Sequence, residues 1–498
     1  MEAIHNLLLG FSIALTPQNI LFAFIGSVLG TLIGVLPGIG PVAGVAMLIP
    51  LTFQMTPTGA IIMLTALFYG TQYGGTITSV LLNVPGEAAS AITCIEGYQM
   101  AKKGRGGVAL SIAAIGSFFG GTFATIALVL AAGPLTRFAL EFGPVEFFAL
   151  ITLGISLLMG LAGKSMIKAL MMGIFGLLLA MIGMDPVSGI PCFTFGRMEL
   201  MDGIGFVPVI MGLFGLAEIL MNAEKQFSQV FIEKMSSLIP TCKDFRDSFG
   251  PILRGSLIGT LLGLVPGMTG SASSFLSYIA ERKVSKHPER FGSGVIEGVA
   301  GPETANNAHA NGALIPLFTL GIPASPTVAV IMGAFMMHGL IPGPFLFKEH
   351  PEVAWGVIAS FYIGNVILLI LNLPLVGIWI KILKIPYGLL FGIILTFMVV
   401  GAYSISNSAF DVLIMTIFGV IGYILRKLDF PLAPVVLTLI LGPLMERSLR
   451  QSLEMSQGDF RIFLESPIAL VLLILASVFM IAPTFKFIKK KKSVISGE

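Results

Sequence analysis

Two near copies of one nine-residue stretch determine how this chain is organised: residues 30–38 read GTLIGVLPG, and residues 259–267 read GTLLGLVPG. Six of the nine positions are identical, and the copies lie 229 residues apart (259 minus 30). Glycines recur at every fourth residue, so they share one helix face on which a neighbouring helix can approach closely. The Pro-Gly pair that ends each copy interrupts the helix, because proline lacks an N–H group and glycine tolerates left-handed backbone.

A second pair of segments follows in the same order. LLNVPGEAAS (81–90) aligns with TLGIPASPTV (319–328), which places Pro85 on Pro323 at an offset of 238 (323 minus 85). The same offset places Gly74 on Gly312. Helix breaks at corresponding positions of two halves are the best sequence indication of a transporter binding site.

The composition excludes a soluble protein. Charged residues are 11% of the 498 residues, against about 25% in soluble chains, and the apolar types reach 55%. The mean hydropathy is +0.94, and apolar runs of about 20 residues, the length of a membrane-spanning helix, recur. We predict an all-α polytopic integral membrane protein with about 12 transmembrane helices plus re-entrant hairpins, arranged as two inverted-topology repeats.

The chain is predicted to have four parts. These are a first membrane half (18–222), a polar connecting segment (223–250), a second membrane half (251–485) and a basic tail (486–498). Basic residues cluster in 102–105, 282–290 and the tail, but not in the loops equivalent to the first two. Because cytoplasmic loops are enriched in Lys and Arg, we expect all three clusters in the cytoplasm, the N-terminus outside, and a multi-pass location in the cell (inner) membrane.

Several other functions are disfavoured. Three scattered cysteines and five dispersed histidines form no metal-ligand pattern, and no phosphate-binding GxxxxGK[ST] loop is present. The net charge of +3 gives no indication of nucleic-acid binding. A membrane hydrolase needs paired catalytic groups at depth, whereas Asp185, Asp202 and Asp411 lie apart near segment ends. We expect neither an enzyme nor a cofactor.

Four broken segments are the candidate binding site: 36–44, 83–90, 265–274 and 320–327. Helix N-termini at such breaks direct free N–H groups and positive dipole ends inward, which favours an anion. No Lys or Arg is available at any of the four breaks, so backbone N–H groups are expected to do most of the binding. Residues 83–90 are expected to face residues 321–325 near the midplane, with the breaks at Gly38 and Gly267 completing the walls. The alternative is that the prolines are simple kinks. The predicted substrate-binding residues are Gly38, Gly40, Asn83, Pro85, Gly86, Ser90, Gly267, Gly321, Pro323, Ala324 and Ser325.

The same breaks, with hydroxyl and amide oxygens, suit a small hard cation. The predicted residues for the coupling ion, Na+ or alternatively H+, are Glu87, Thr269, Ser271, Asn306, Asn307 and Asn311. Glu87 is difficult to place, because a carboxylate beside an anion site repels substrate unless it is protonated, binds the coupling cation or points away. Glu96, Glu297 and Glu303 lie near segment ends, so a solvated location is favoured for them. The polar run 301–312 is either buried with partners or a cap at the membrane surface.

Five motifs together resemble one known family. They are GTLIGVLPGIGP (30–41), YGGTITSVLLNVPGE (73–87), GYQMAKKGR (97–105), NNAHANGALIPLFTLGIP (306–323) and HGLIPGP (338–344). In type and order they resemble the large membrane subunit of the tripartite tricarboxylate transporters, the TctA type, from about residue 18 to 485.

The resemblance implies an uptake permease driven by an ion gradient, for substrates such as citrate or another di- or tricarboxylate. It also implies two partners, a small four-helix membrane subunit and an extracytoplasmic solute-binding protein. A stand-alone carrier for another small organic anion is the nearest alternative, and a channel is a further one. A saturable uptake that depends on a counter-ion would distinguish a carrier from a channel.

Overall fold

The computed structural model describes residues 2–36, 39–161, 165–185, 189–224, 238–382 and 387–480. Gly38, part of the connecting segment and the basic tail 486–498 lie outside the described residues. The helices of the first half are α1 (Glu2–Ala14), α2 (Pro17–Val35), α3 (Gly40–Leu48), α4 (Pro57–Leu82), α5 (Thr93–Lys102), α6 (Gly106–Ala139), α7 (Pro144–Leu161), α8 (Met166–Ala180), α9 (Phe206–Ile210) and α10 (Ala217–Ala223). Short 3₁₀ turns lie at Ile49–Gln54, Ala88–Ala91 and Met198–Leu200, Met211–Leu216 is π-helical, and the strands β1 (Gly183–Met184) and β2 (Pro191–Cys192) pair antiparallel.

The described residues of the second half form helices joined by loops, without a strand. Its helices are α11 (Cys242–Gly263), α12 (Gly270–Val284), α13 (Glu297–Gly312), α14 (Leu314–Leu320), α15 (Pro326–Met337), α16 (Pro344–Glu349), α17 (Pro351–Asn372), α18 (Val376–Ile382), α19 (Tyr387–Ser406), α20 (Ala409–Lys427), α21 (Ala433–Met455), α22 (Ile462–Glu465) and α23 (Pro467–Met480), with a 3₁₀ turn at Pro288–Arg290. Helix α11 begins at Cys242 because Thr241 and Asp244 each bond the other's backbone N–H group.

The helices are those of an all-α membrane protein. Five of them are long and apolar enough to cross a membrane: Pro17–Val35, Gly106–Ala139, Phe206–Ala223, Pro351–Asn372 and Ala409–Lys427. Shorter apolar helices accompany them, among them α8 and α15. Large apolar side chains such as Leu130 and Ile167 are exposed on the outside of the bundle, as expected where lipid replaces water. The total of about 12 crossings and the repeat symmetry stay predictions.

The glycine face of α2 packs directly on the backbone of α4. A Cβ atom added at Gly26 would overlap the carbonyl oxygen of Met63, and one at Gly30 would lie 2.9 Å from the Cα of Leu67. At Gly34 the same atom would lie 2.9 Å from the Cα of Gly74. Only glycine permits this separation, so the four-residue spacing does set a close helix contact.

Helices α11 and α13 repeat this contact in the second half. A Cβ atom added at Gly255 would overlap the carbonyl oxygen of Gly301, and one at Gly259 would overlap that of Ala305. In residue number, Gly255 and Gly259 of α11 follow Gly26 and Gly30 of α2 by 229 (255 minus 26). The residues that they contact in α13 follow the equivalent contact residues in α4 by 238 (301 minus 63). Both offsets are those of the two sequence alignments, so aligned residues make equivalent contacts in the two halves.

The second pair of breaks also has matching backbone geometry. Asn83 ends α4 in the left-handed region with φ of 57°, and Gly321 ends α14 with φ of 72°. Four residues further along, Glu87 (φ −138°, ψ 166°) precedes the turn Ala88–Ala91, and Ser325 (φ −143°, ψ 163°) precedes α15. A helix therefore stops, extends over the proline and restarts in the same way in each half.

The two basic loops lie side by side. The Lys103 Nζ atom is 2.5 Å from the carbonyl oxygen of Ser293, so the loop after α5 contacts the loop before α13. Arg105 forms an ion pair of 2.5 Å with Asp244 at the start of α11. These contacts place both loops on one side of the molecule, as their shared basic character requires.

Candidate functional site

The first break separates α2 from α3. Helix α2 ends at Val35, Gly38 lies outside the described residues, and α3 begins at Gly40 with φ of +65°. The residue before α3, Ile39, makes no side-chain hydrogen bond to its first turn, and Pro41 follows within that turn. Space remains around Gly40, since no described atom lies within 4 Å of the position of an added Cβ. The N-terminus of α3 is therefore open to a ligand.

The second break is tightly packed. A Cβ atom added at Gly86 would overlap the carbonyl oxygen of Gly34 and lie 2.6 Å from the Cα of Gly75. Ser90 is fully buried, and its hydroxyl accepts a hydrogen bond from Ser79 at 2.9 Å. The break is thus fixed against α2 and α4, close to the end of α2.

The third and fourth breaks contact each other within the second half. Gly267, with φ of 87°, donates its N–H group to the carbonyl oxygen of Ala324 at 2.9 Å. Thr269 precedes α12 and accepts the N–H group of Ala272 at 3.2 Å, and Ser271, which follows it in the first turn, is half-buried. Ser325 precedes α15 in the same way and accepts the N–H group of Val328 at 3.3 Å.

Contacts between the halves join the breaks to other helices. The side chain of Ala89 lies 3.3 Å from the position of an added Cβ at Gly270, which brings the second break to the N-terminus of α12. Helices α3 and α15 are also in contact. Gly86 and Gly321 pack within their own halves, so direct packing of the 83–90 break on the 321–325 break, with Pro85 against Pro323, stays a prediction.

A cavity of about 370 Å³ opens at the first two breaks. Residues 39–43 and 85–88 form two of its walls, and Phe214, Glu218 and Arg426 form the third. Arg426 forms an ion pair with Glu218, and its guanidinium carbon is 5.8 Å from the centroid of the Phe214 ring. The expectation that no Lys or Arg is available at the breaks is therefore wrong, because the fold brings this arginine from the end of α20.

A second cavity, of about 390 Å³, lies at the fourth break. Leu320 and Gly321 line it, together with Arg447, Ser448 and Gln451 of α21. Arg426 lies in the last turn of α20 and Arg447 more than halfway along α21, the next helix. Each of these breaks therefore opens on a cavity that also contains one arginine.

The polar run 301–312 is a buried helix and not a surface cap. Each asparagine of α13 uses its amide nitrogen: Asn306 donates to Glu87 at 2.7 Å, and Asn307 donates to Ser117 at 2.7 Å. Asn311 donates to the carbonyl oxygen of Gly121 at 3.0 Å. The side-chain oxygens of all three are buried without a hydrogen-bond donor in the described part of the chain. These acceptor atoms suit a cation or water.

Glu303 of α13 is almost completely buried. Its carboxylate accepts hydrogen bonds from the hydroxyl of Thr76 at 2.6 Å and from the hydroxyl of Thr93. Glu96 is also buried and accepts the Tyr278 hydroxyl at 2.8 Å and backbone N–H groups of the loop before α13. The predicted solvated location is wrong for these two, because other helices cover the segment ends on which they lie. Glu297 is half-buried.

Sequence reasoning missed four groups of this site. In the sequence, Arg426 is an ordinary basic residue near the end of an apolar segment, and nothing distinguishes Thr76 and Thr93 from other threonines. Asn365 of α17, which accepts the Tyr73 hydroxyl at 3.0 Å, was missed as well. Its position inside an apolar 22-residue helix was the available signal, because a polar amide at that depth requires a partner.

One comparison with known proteins identifies a family, and another finds two relatives. A family model described as the tripartite tricarboxylate transporter TctA family matches residues 20–437. An Agrobacterium vitis protein described as an uncharacterized 52.8 kDa protein in the TAR-I ttuC′ 3′ region is 48% identical over 499 residues, covering 100% of this chain and 99% of that protein. A second A. vitis protein, described as uncharacterized in the TAR-II ttuC′ 3′ region, is 47% identical over 240 residues, 48% of this chain and 99% of its own length. No solved structure matches the chain.

Proposed function

Since the chain belongs to the TctA family of tripartite tricarboxylate transporters, we propose that it is the permease subunit that imports a di- or tricarboxylate such as citrate. Import is driven by a gradient of sodium or, alternatively, of protons. The permease works with a small four-helix membrane subunit and an extracytoplasmic solute-binding protein, which delivers the substrate. The chain lies in the inner membrane.

The presence of Arg426 in the cavity of the first two breaks carries this proposal. A guanidinium group binds a carboxylate through two parallel hydrogen bonds, and the open N-terminus of α3 at Gly40 adds a positive dipole end. A cavity of about 370 Å³ is within the range of small-molecule sites. The substrate therefore binds with one carboxylate at Arg426 and another at the breaks.

Glu218 competes with the substrate for the guanidinium group of Arg426. It neutralises Arg426 before the substrate arrives, which avoids an unpaired charge in a partly buried place. A substrate carboxylate exchanges with Glu218 at Arg426, and Glu218 takes Arg426 back after release. Because Glu218 belongs to the first half and Arg426 to the second, the exchange also breaks and remakes a contact between the halves.

Ion coupling follows from two buried carboxylates. Glu87 is held by the amide of Asn306, and Glu303 by the hydroxyls of Thr76 and Thr93, so their hydrogen-bond donors are neutral. An anionic substrate beside such groups needs a compensating cation or proton. We favour sodium because hydroxyl and amide oxygens outnumber carboxylates here.

Reconstitution tests the function directly. The chain is placed in vesicles with its two partner proteins, and uptake of labelled citrate and succinate is measured under an inward sodium gradient or proton gradient. We expect saturable uptake that requires the sodium gradient and the binding protein. Uptake without the binding protein would indicate a stand-alone carrier, and non-saturable flux a channel. Uptake that ignores sodium but follows the pH gradient would contradict sodium coupling.

The topology follows from the inverted repeats, which the equivalent contacts of α2 with α4 and of α11 with α13 support. In a chain whose native cysteines are replaced by alanine, we expect Lys102→Cys and Lys286→Cys to react only from the cytoplasmic side. Lys348→Cys, in the segment of the second half equivalent to the basic loop 102–105, is expected to react from outside. All three positions are exposed, so accessibility depends on the side alone. Labelling of Lys102→Cys or Lys286→Cys from outside by an impermeant thiol reagent would contradict the inverted arrangement.

A further inference from the structure

A small cavity lies where α4 and α6 of the first half meet α17 of the second. Tyr73, Thr76, Ser117 and Asn372 form its polar lining, and three apolar side chains of α4 and α6 complete it. All seven lining residues are buried. The cavity offers about 10 Å³ to the centre of a water-sized sphere, which is room for one water molecule or one small ion.

The hydroxyl protons of Tyr73 and Thr76 are directed away from this cavity. Tyr73 donates its proton to Asn365 at 3.0 Å, and Thr76 donates its proton to Glu303 at 2.6 Å. The oxygen of Ser117 accepts an amide proton from α13. The oxygens of Tyr73 and Thr76 therefore keep lone pairs for a cation, and the Ser117 oxygen keeps one lone pair beside the bond from Asn307.

Asn372 adds a further acceptor. Its amide nitrogen donates to the carbonyl oxygen of Leu368 at 2.9 Å. Its Oδ1 atom is buried and has no hydrogen-bond donor among the residues that the structure describes. Such an atom is costly unless a ligand or water satisfies it.

Glu303 supplies the countercharge. Its carboxylate is one hydrogen bond from the Thr76 oxygen, and both of its donors are uncharged hydroxyls. In apolar surroundings the attraction between this carboxylate and a nearby cation is strong, because little water screens it.

We propose that the cavity is a binding site for one dehydrated sodium ion, with oxygen ligands from Tyr73, Thr76, Ser117 and Asn372. This sodium site deepens the proposed function and rests on it, since it identifies the coupling ion and the location at which that ion binds. Sodium fits because it is smaller than a water molecule and prefers hard oxygen ligands. Of the predicted coupling-ion residues, Asn307 then orients the ligand Ser117, and Asn306 and Asn311 do not line this cavity.

Helix α13 connects the ion to the substrate. Glu303 faces the ion site, and Asn306, one turn further along α13, holds Glu87. Glu87 lines the cavity of the first two breaks. Binding of sodium therefore fixes α13 and, through Asn306, the wall of the substrate cavity.

The test compares Thr76→Val with Thr76→Ser. Valine keeps the shape but removes the oxygen, whereas serine retains it. The readouts are the melting temperature of the purified chain in sodium chloride against choline chloride, and the sodium concentration for half-maximal citrate uptake by the reconstituted complex. We expect sodium to raise the melting temperature of the wild type and of Thr76→Ser. For Thr76→Val we expect no such rise and a half-maximal concentration increased about 10-fold or more.

A second variant keeps the test valid if valine prevents folding. Ser117→Ala removes a ligand oxygen but leaves Asn307 its other acceptor, the carbonyl oxygen of Glu303. The matched control is Ser156→Ala, which removes a buried hydroxyl that bonds within its own helix.

The outcomes separate the ion site from the function. If both site variants show sodium-driven uptake with the sodium dependence of the wild type, the proposed ion site is wrong and the proposed transport function stands. Sodium stabilisation lost in Thr76→Val and Ser117→Ala, without uptake of either acid by the wild type, would support the site and contradict the substrate. Equal stability of the wild type in sodium and choline chloride would mean that the cavity holds only water, which overturns the proposal.

Discussion

Replacing Gly86 with valine is expected to abolish carboxylate uptake while the protein still inserts in the membrane. An added Cβ would overlap the carbonyl oxygen of Gly34 and lie 2.6 Å from the Cα of Gly75. Both are backbone atoms, so no side chain can move away to relieve the overlap. The break must shift instead, and it forms a wall of the substrate cavity. We expect initial uptake to fall by about 100-fold or more.

Gly321→Val tests the equivalent break. Its φ of +72° is costly for valine, and an added Cβ would lie 2.8 Å from the carbonyl oxygen of Pro342. The control is Gly133→Val, where no described atom lies within 4 Å of the added Cβ. Ser90→Ala removes only a hydroxyl and should weaken uptake modestly. Near-normal uptake by both Gly86→Val and Gly321→Val would show that the substrate binds elsewhere and that the prolines are kinks.

Arg426→Gln is expected to have the second large effect. It removes the cation of the cavity and leaves Glu218 without its partner, so binding should weaken by about 2 to 5 kcal/mol. Arg426→Lys should restore part of the uptake, because lysine keeps the charge but not the planar fork. The half-saturating citrate concentration and the maximal rate are measured for each variant.

The double variant Arg426→Gln with Glu218→Gln separates binding from stability. It removes both charges, so it should recover the melting temperature that Arg426→Gln loses without recovering uptake. Glu218→Gln alone frees Arg426, so the half-saturating citrate concentration should fall while the maximal rate also falls. Wild-type uptake by the double variant would be incompatible with a role of Arg426 in substrate binding.

The sequence predicted best those features that depend on the backbone preferences of glycine and proline. The spacing of Gly26, Gly30 and Gly34 predicted a close helix contact, and the Pro-Gly pairs predicted interrupted helices, because both depend on local stereochemistry. The left-handed residues Asn83 and Gly321 lie where the alignment of the two halves put them. These features require no knowledge of the tertiary fold.

The sequence was least informative where distant segments meet. Arg426 lies 341 residues after Pro85 (426 minus 85), and only the fold places both at one cavity. Glu303 lies in a helix so polar that hydropathy assigns it to water, although neighbouring helices cover it completely. Hydropathy measures the average preference of a segment and not the partners that surround it. Hydropathy therefore gives the wrong location for a polar helix that is buried among other helices.

The contact of α2 with α4 has a mechanical consequence. Its glycines recur every four residues, which is about 6 Å of helix rise. Sliding by a fraction of that distance would bring Cβ atoms of neighbouring residues against the opposite backbone, so we expect the pair to resist shear and to move as one rigid unit. The same holds for α11 with α13. We therefore expect relative motion during transport to occur outside these pairs, for example where Arg426 of α20 meets Glu218 of α10.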